Sequence, residues 1–129
     1  MPISPIEFQP SESRWQDIYL HLKNKGFEVY APEQKTGDCT SPYLVIKNDG
    51  SYNHVNFSTD RDMYAIYCYV PKMRYSELEP LVQKVKAAMR ELYPMIQYYG
   101  QQLPSYYDDT VKAHYIGIEY ENYKKFLTM

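Results

Sequence analysis

The chain has 129 residues and a formal net charge of −2. That length suits one domain with its own core, and the charge argues against a protein whose main work is gripping phosphate backbones. Two cysteines, Cys39 and Cys68, are too few for a disulfide framework and fit a reducing compartment or simply no reliance on disulfides, and no apolar run approaches membrane-spanning length.

Residues 1–10 hold Pro2, Pro5 and Pro10 and are expected to form an extended arm. They lack a basic region followed by an apolar run, so no signal peptide is expected, and the protein is expected to be made and kept in the cytoplasm. A first helix is predicted from Ser11 or Ser13 to Lys25. Ser13 and Gln16 form a candidate capping box, and Trp15, Ile18, Tyr19 and Leu22 line one face. Leu20 points the other way and is a candidate contact with a partner. Gly26 is the expected left-handed C-cap, with Phe27 folding back on Leu22.

Residues 27–31 read as a short strand ended by Pro32, and residues 33–41 as a polar loop around Gly37. Residues 43–47 form a second strand. Asn48-Asp49-Gly50 is a hairpin-turn signal, because these residue types accept positive φ. Residues 52–58 are the returning strand, and Thr59-Asp60-Arg61-Asp62 is the next turn.

The stretch from Met63 to Tyr93 organises the chain. In the strand 63–70, Tyr64, Ile66, Cys68 and Val70 share one face, and Met63, Ala65, Tyr67 and Tyr69 the other. A helix is predicted over 76–93, with Ser76 as N-cap and Glu79 closing a capping box. Pro80 leaves room for the start to slip by a residue or two. Leu78, Leu81, Val82, Val85, Met89 and Leu92 form its apolar stripe, and Tyr93-Pro94 stops it. Residues 96–99 read as a short strand or extended segment, 100–105 as a loop, and 106–110 as an acidic, aromatic connection. In the last strand, 112–121, His114, Ile116, Ile118 and Tyr120 face one way, and Ala113, Tyr115, Gly117 and Glu119 the other. Residues 122–129 are expected to form a frayed tail. The fold class that follows is α+β, a two-layer sandwich with two helices on one face of a mainly antiparallel sheet of four to five strands.

Tyrosine is the unusual residue: 16 of them, against four Phe and one Trp. Tyr offers an apolar body with a wet tip, which suits surfaces buried only on association, though it also suits half-exposed strands. No phosphate-loop, dinucleotide, zinc-protease, nucleophile-elbow or Cys-x-x-Cys pattern is present. Cys39, Cys68, His21, His54 and His114 are unpaired as zinc ligands. Asp60 with Asp62, and Asp108 with Asp109, read as turn carboxylates rather than a magnesium site. A Cys68–His114 nucleophile pair lacks an orienting third residue. The tyrosine-dense stretches contain no Lys or Arg, so direct nucleic-acid binding is not expected, nor is a cofactor or metal.

From Leu103 to Lys125 the sequence reads Leu-Pro-Ser-Tyr-Tyr-Asp-Asp-Thr-Val-Lys-Ala-His-Tyr-Ile-Gly-Ile-Glu-Tyr-Glu-Asn-Tyr-Lys-Lys. It resembles the C-terminal part of the tail terminator, or tail-completion, proteins of long-tailed bacteriophages, also labelled minor capsid proteins. In those, a Pro-aromatic-Asp-Asp segment leads into a final strand resembling Lys-Ala-x-x-x-x-Ile-x-Tyr. The order of the rest is similar: a first helix over 15–26, Gly-Phe-x-Val-Tyr entering the sheet at 26–30, an apolar strand at 42–46 and the long helix over 76–93.

The resemblance implies a non-enzymatic α+β subunit of a hexameric ring in the virion, at the head-proximal end of the tail tube. Such a ring ends tube growth and presents a surface to the head-side connector. The implied partners are further copies of the chain, the tail tube protein and a head-completion or stopper protein, with no membrane. Tyr106, Tyr107, Asp108 and Asp109 match the segment before the last strand, and the expected hairpin around Asp49 matches where such proteins carry projecting loops. The candidate interface residues are Leu20, Asp49, Tyr67, Tyr69, Tyr98, Tyr99, Tyr106, Tyr107, Asp108 and Asp109. A head-closure or other neck component is the nearest alternative. A small enzyme or ligand-binding domain using the tyrosine-rich surface is the alternative of another class.

Overall fold

The computed structural model describes residues 13–53 and 59–125. The expected N-terminal arm, the end of the expected strand over 52–58 and residues 126–129 lie outside the described residues. Helix α1 (Arg14–Asn24) begins at Ser13, whose hydroxyl accepts a hydrogen bond from the Gln16 N–H at 3.1 Å, one half of the expected capping box. Gly26, at φ 98°, ends it, and the Phe27 N–H reaches back to the Leu22 carbonyl at 3.2 Å, the Schellman arrangement.

The strands are β1 (Val29–Tyr30), β2 (Tyr43–Asn53), β3 (Thr59–Pro71), β4 (Gln97–Gln102), β5 (Tyr106–Asp108) and β6 (Ala113–Lys125), with α2 (Leu78–Met89) between β3 and β4. They make one sheet in the order β1-β2-β3-β6-β4, and β5 also lies along β6. Among the described residues only β1 pairs in parallel, and the other pairings are antiparallel. The fold is therefore α+β with a mostly antiparallel sheet. Among the described residues it has six strands: residues 106–108, expected as connection, pair with β6, while residues 43–47 and 52–53, expected as two strands, are one.

One expected turn is instead a bulge. β2 continues through Asn48-Asp49-Gly50 and pairs with β3 on both sides, with Asn48 opposite Tyr64 and Gly50 opposite Met63. Asp49 is the extra residue. Gly50 takes φ 109°, and its N–H donates to Asn48 Oδ1 at 2.7 Å. The residue types that make a turn also satisfy a bulge, and continuing the strand adds ladder pairs that a turn here would forgo. For the same reason Thr59–Asp62 is strand rather than turn, and residues 122–125, expected as tail, are strand opposite it.

The long helix starts at Leu78, within the slip that Pro80 allows. Lys72–Glu77 is 3-10 helix, α2 begins at Leu78, and Glu77 stands at the cap position without a side-chain cap, so the Ser76/Glu79 capping box does not form. Pro80 explains this. With Ser76 as N-cap, Pro80 would have to donate the first intrahelical hydrogen bond, and it has no N–H to donate. Starting at Leu78 places Pro80 among the residues whose N–H is unpaired anyway.

Both helices cover one face of the sheet. Ile18 and Leu22 of α1 and Leu78, Val82, Val85 and Met89 of α2 pack with Leu44, Ile46, Tyr64, Ile66, Cys68, Val70, Ile116, Ile118 and Tyr120. Trp15 Nε1 donates to the Ile46 carbonyl at 2.8 Å, and His21 Nε2 donates to the Ala88 carbonyl at 2.8 Å, tying α1 to β2 and to α2. Among the described residues, no helix is long and apolar enough to cross a membrane.

Candidate functional site

The other face of the sheet carries a row of tyrosines, one from each of five strands. Tyr43, Tyr69, Tyr115 and Tyr106 are directly opposite one another on β2, β3, β6 and β5. Tyr43 stacks on Tyr69 at 4.9 Å between ring centroids, and Tyr69 stacks on Tyr115 at 5.1 Å. Tyr30 of β1 meets the edge of Tyr43 at 5.6 Å, and Tyr106 leans on Tyr115 at 5.9 Å. Offset stacks and edge contacts are the favoured geometries for such pairs. The alternation of each strand puts these residues on this face, and the antiparallel register brings them into line.

Beside the row, Tyr67 approaches Tyr115 at 6.0 Å and lies across Gly117. A Cβ at position 117 would stand 2.8 Å from Tyr67 Cε1 and 3.1 Å from Leu103 Cδ1, so only glycine lets this ring lie flat on β6. Residues 31–42 cross one end of the face. There the Cys39 N–H donates to the Val111 carbonyl at 2.7 Å, and Cys39 packs with Tyr43 and Ala113. The rest is a shallow depression of about 300 Å³ lined by Val45, Lys47, Tyr67, Tyr69 and Asp108, among others.

The electrostatics are those of a semi-apolar surface. Burial is the main cause that raises the phenols of Tyr43, Tyr67 and Tyr69, with Tyr69 pushed up to about 12. The Glu28 carboxylate accepts from the Tyr30 hydroxyl at 2.8 Å and holds that phenol up as well. Lys35 lies over the Tyr30 and Tyr43 rings, at 5.6 and 5.8 Å from their centroids. At neutral pH these phenols are protonated donors, and the surface can make aromatic contact and neutral hydrogen bonds.

The ten candidate interface residues separate by location. Tyr67, Tyr69, Tyr106 and Asp108 belong to this face, and Asp49 stands at the β2 bulge, where its charge raises the Tyr67 phenol. Tyr107 is on the helical side against the His114 ring at 5.0 Å, and Tyr98 is there too, against Tyr120 at 5.7 Å. Tyr99 is exposed on β4, Asp109 is exposed in the turn after β5, and Leu20 is 46% exposed on α1. Tyr30, Tyr43 and Tyr115 were not among the ten. The signal for Tyr115 was its place opposite His114, Ile116 and Ile118 in the alternation, but only the strand register unites the three.

The rival chemistries are not assembled among the described residues. Cys68 and His114 do lie on neighbouring strands, yet Cys68 is fully buried, and burial pushes its thiol far above neutral pH. A buried neutral thiol is a poor nucleophile. His114 is held between the rings of Tyr75 and Tyr107. Cys39 packs on the tyrosine face and Cys68 on the helical face, so the two do not share a site. No group of three or more His, Cys, Asp or Glu placed to hold a metal ion occurs among the described residues. His54 lies outside them. No protein-family model matches the chain, and no curated protein matches it.

Proposed function

We propose that the chain is a structural subunit of a phage tail terminator, a homo-hexameric ring at the head-proximal end of the tail tube that ends tube growth and forms the joint to the head connector. The observation that carries this reading is the tyrosine row across a sheet face that no helix of the described chain covers. Tyr43 is buried under residues 31–42, and the rings of Tyr30, Tyr67, Tyr69, Tyr115 and Tyr106 around it stay half-buried or exposed, a semi-apolar surface whose hydroxyls keep it compatible with water before assembly. A ring subunit makes two different contacts with its neighbours, so it needs surface of this kind on two sides.

The resemblance of residues 103–125 supports the same reading. The Pro-aromatic-Asp-Asp segment lies as β5 and its turn, and the strand that follows it is β6. The partners in this reading are further copies of the chain, the tail tube protein and the head-side stopper, and the place of action is the virion neck.

Electron microscopy of tails lacking heads, with this chain labelled, tests it. The expected result is a six-fold ring carrying the label at one end of the tube, and tubes of uncontrolled length when the chain is withheld. A stable dimer in sedimentation, together with label absent from tail ends, overturns it.

A further inference from the structure

A cleft of about 490 Å³ opens on the helical side between the end of α2 and β4. Lys86 and Arg90 line it, with no carboxylate among its described lining residues. Lys86 Nζ stands 5.0 Å from the centroid of the Tyr98 ring, and Tyr93 at the rim is 67% exposed. Neither cation makes an ion pair among the described residues. A helix end favours cations for its own dipole, but Lys86 is turned onto an aromatic ring, and the cleft is both basic and aromatic.

The opposite character stands at the other end of β6. Tyr106 and Tyr107 are 52% and 40% exposed. Asp108 Oδ1 accepts from the Thr110 N–H at 2.9 Å and from its hydroxyl, which fixes the turn. Asp109 is exposed and has no hydrogen bond or ion pair among the described residues. Asp108 is opposite Ala113, and Tyr98 is opposite Tyr120. Positions 113 and 120 are seven residues apart, roughly 24 Å along a strand. The basic cleft and the acidic turn therefore cannot meet within one chain.

We propose that the cleft between α2 and β4 receives the Tyr107-Asp108-Asp109 turn of a second copy of this chain. This rests on the ring reading above and names the two surfaces that meet in it. The exposed Asp109 carboxylate meets Lys86 and Arg90, and Tyr107 lies against Tyr98 and Tyr93. Engaged by two different neighbours, the two patches make a head-to-tail contact that propagates around a ring, whereas a reciprocal two-fold pairing of the same patches would stop at a dimer. The charges set orientation and encounter rate, and the aromatic rings supply contact area. Tyr106, next to the turn, is the last ring of the tyrosine row, so this contact is continuous with the open face.

The test is chemical cross-linking of the full chain carrying Gln83→Cys and Thr110→Cys, with a short bismaleimide. The native thiols Cys39 and Cys68 are buried, so the unsubstituted chain gives no cross-link. The double variant is expected to give a ladder of covalent oligomers, and a mixture of the two single variants only a heterodimer. Adding Asp109→Lys lowers the cross-linking rate by at least about tenfold, and further adding Arg90→Glu restores it. No ladder, or a ladder indifferent to Asp109→Lys, overturns the contact. If that happens while the native chain still sediments as an oligomer and labels tail ends, the contact is wrong and the ring reading stands. If the native chain neither associates nor labels tail ends, both fall.

Discussion

The two faces of the sheet are built from the same strands, one residue out of phase, and they carry different chemistry. On the helical face, β3 presents Tyr64, Ile66, Cys68 and Val70, and two helices close over them. On the other face, β3 presents Tyr67 and Tyr69, β6 presents Tyr115 and Gly117, and the rings cover one another. Aliphatic side chains gain only when another element removes them from water. Tyrosine rings packed against one another gain part of that burial among themselves, and those left half-exposed keep their hydroxyls wet. The first arrangement makes a core. The second makes a small buried cluster around Tyr43 and, beyond it, a half-buried surface that tolerates solvent and can still be covered.

Substitutions should separate the two faces, starting from the largest effect. Ile66→Ala opens a void beneath both helices and is expected to cost about 2–5 kcal/mol of stability. Urea unfolding of the purified chain reads this, and the loss should be the same whether or not the chain is assembled. Tyr69→Ala removes two ring stacks and is expected to cost about 1–3 kcal/mol in the isolated chain, with a further loss in self-association. A cost equal to that of Ile66→Ala, with association unchanged, would make the open face a second core and remove the distinction. Gly117→Ala forces Tyr67 off the strand and is expected to cost about 1 kcal/mol. Pairing it with Tyr67→Ala, which vacates the space, should remove most of that cost, and strictly additive losses would contradict the contact.

Alkali offers a subtler comparison. Tyr64 on the helical face and Tyr69 on the open face are both pushed up to about 12 from the ordinary 10.0, chiefly by burial. A phenol raised in the folded state contributes stability that is fully present below pH 10 and is lost as pH rises through 12. The chain should therefore weaken across that window, and Tyr→Phe at either position should flatten the slope. If a second copy covers the open face, raising the protein concentration moves the tyrosinate absorbance of Tyr69 to higher pH and leaves that of Tyr64 in place. The smallest effect is expected outside both faces. Glu77 meets Arg74 at 2.7 Å on an exposed turn, and Glu77→Gln should leave the unfolding midpoint unchanged.

Which residue faces which way was legible in the sequence, because alternation on β3 and β6 is regular and needs no knowledge of neighbours. So were the cap at Ser13 and the end of α1 at Gly26. Register was not legible. The tyrosine row depends on Tyr43, Tyr69 and Tyr115 being opposite one another, and that alignment is a property of three strands far apart in sequence. Asn48-Asp49-Gly50 carries the chemistry of a turn, and whether it turns or bulges depends on the partner that β3 offers on both sides. The cleft was hidden for a similar reason. Lys86 and Arg90 lie off the apolar stripe predicted for the helix, and Tyr98 lies in the segment predicted as a short strand, and it is the pairing of β4 with β6 that brings them together.

The proposal that copies of the chain meet through the tyrosine face is decided by their association in solution. Sedimentation velocity over a range of concentrations, on the native chain and on Tyr67→Arg, tests it most directly, with near-UV circular dichroism as the check on the fold. The native chain is expected to associate beyond a dimer, while Tyr67→Arg stays folded and monomeric. A folded Tyr67→Arg chain that associates as the native chain does would contradict it.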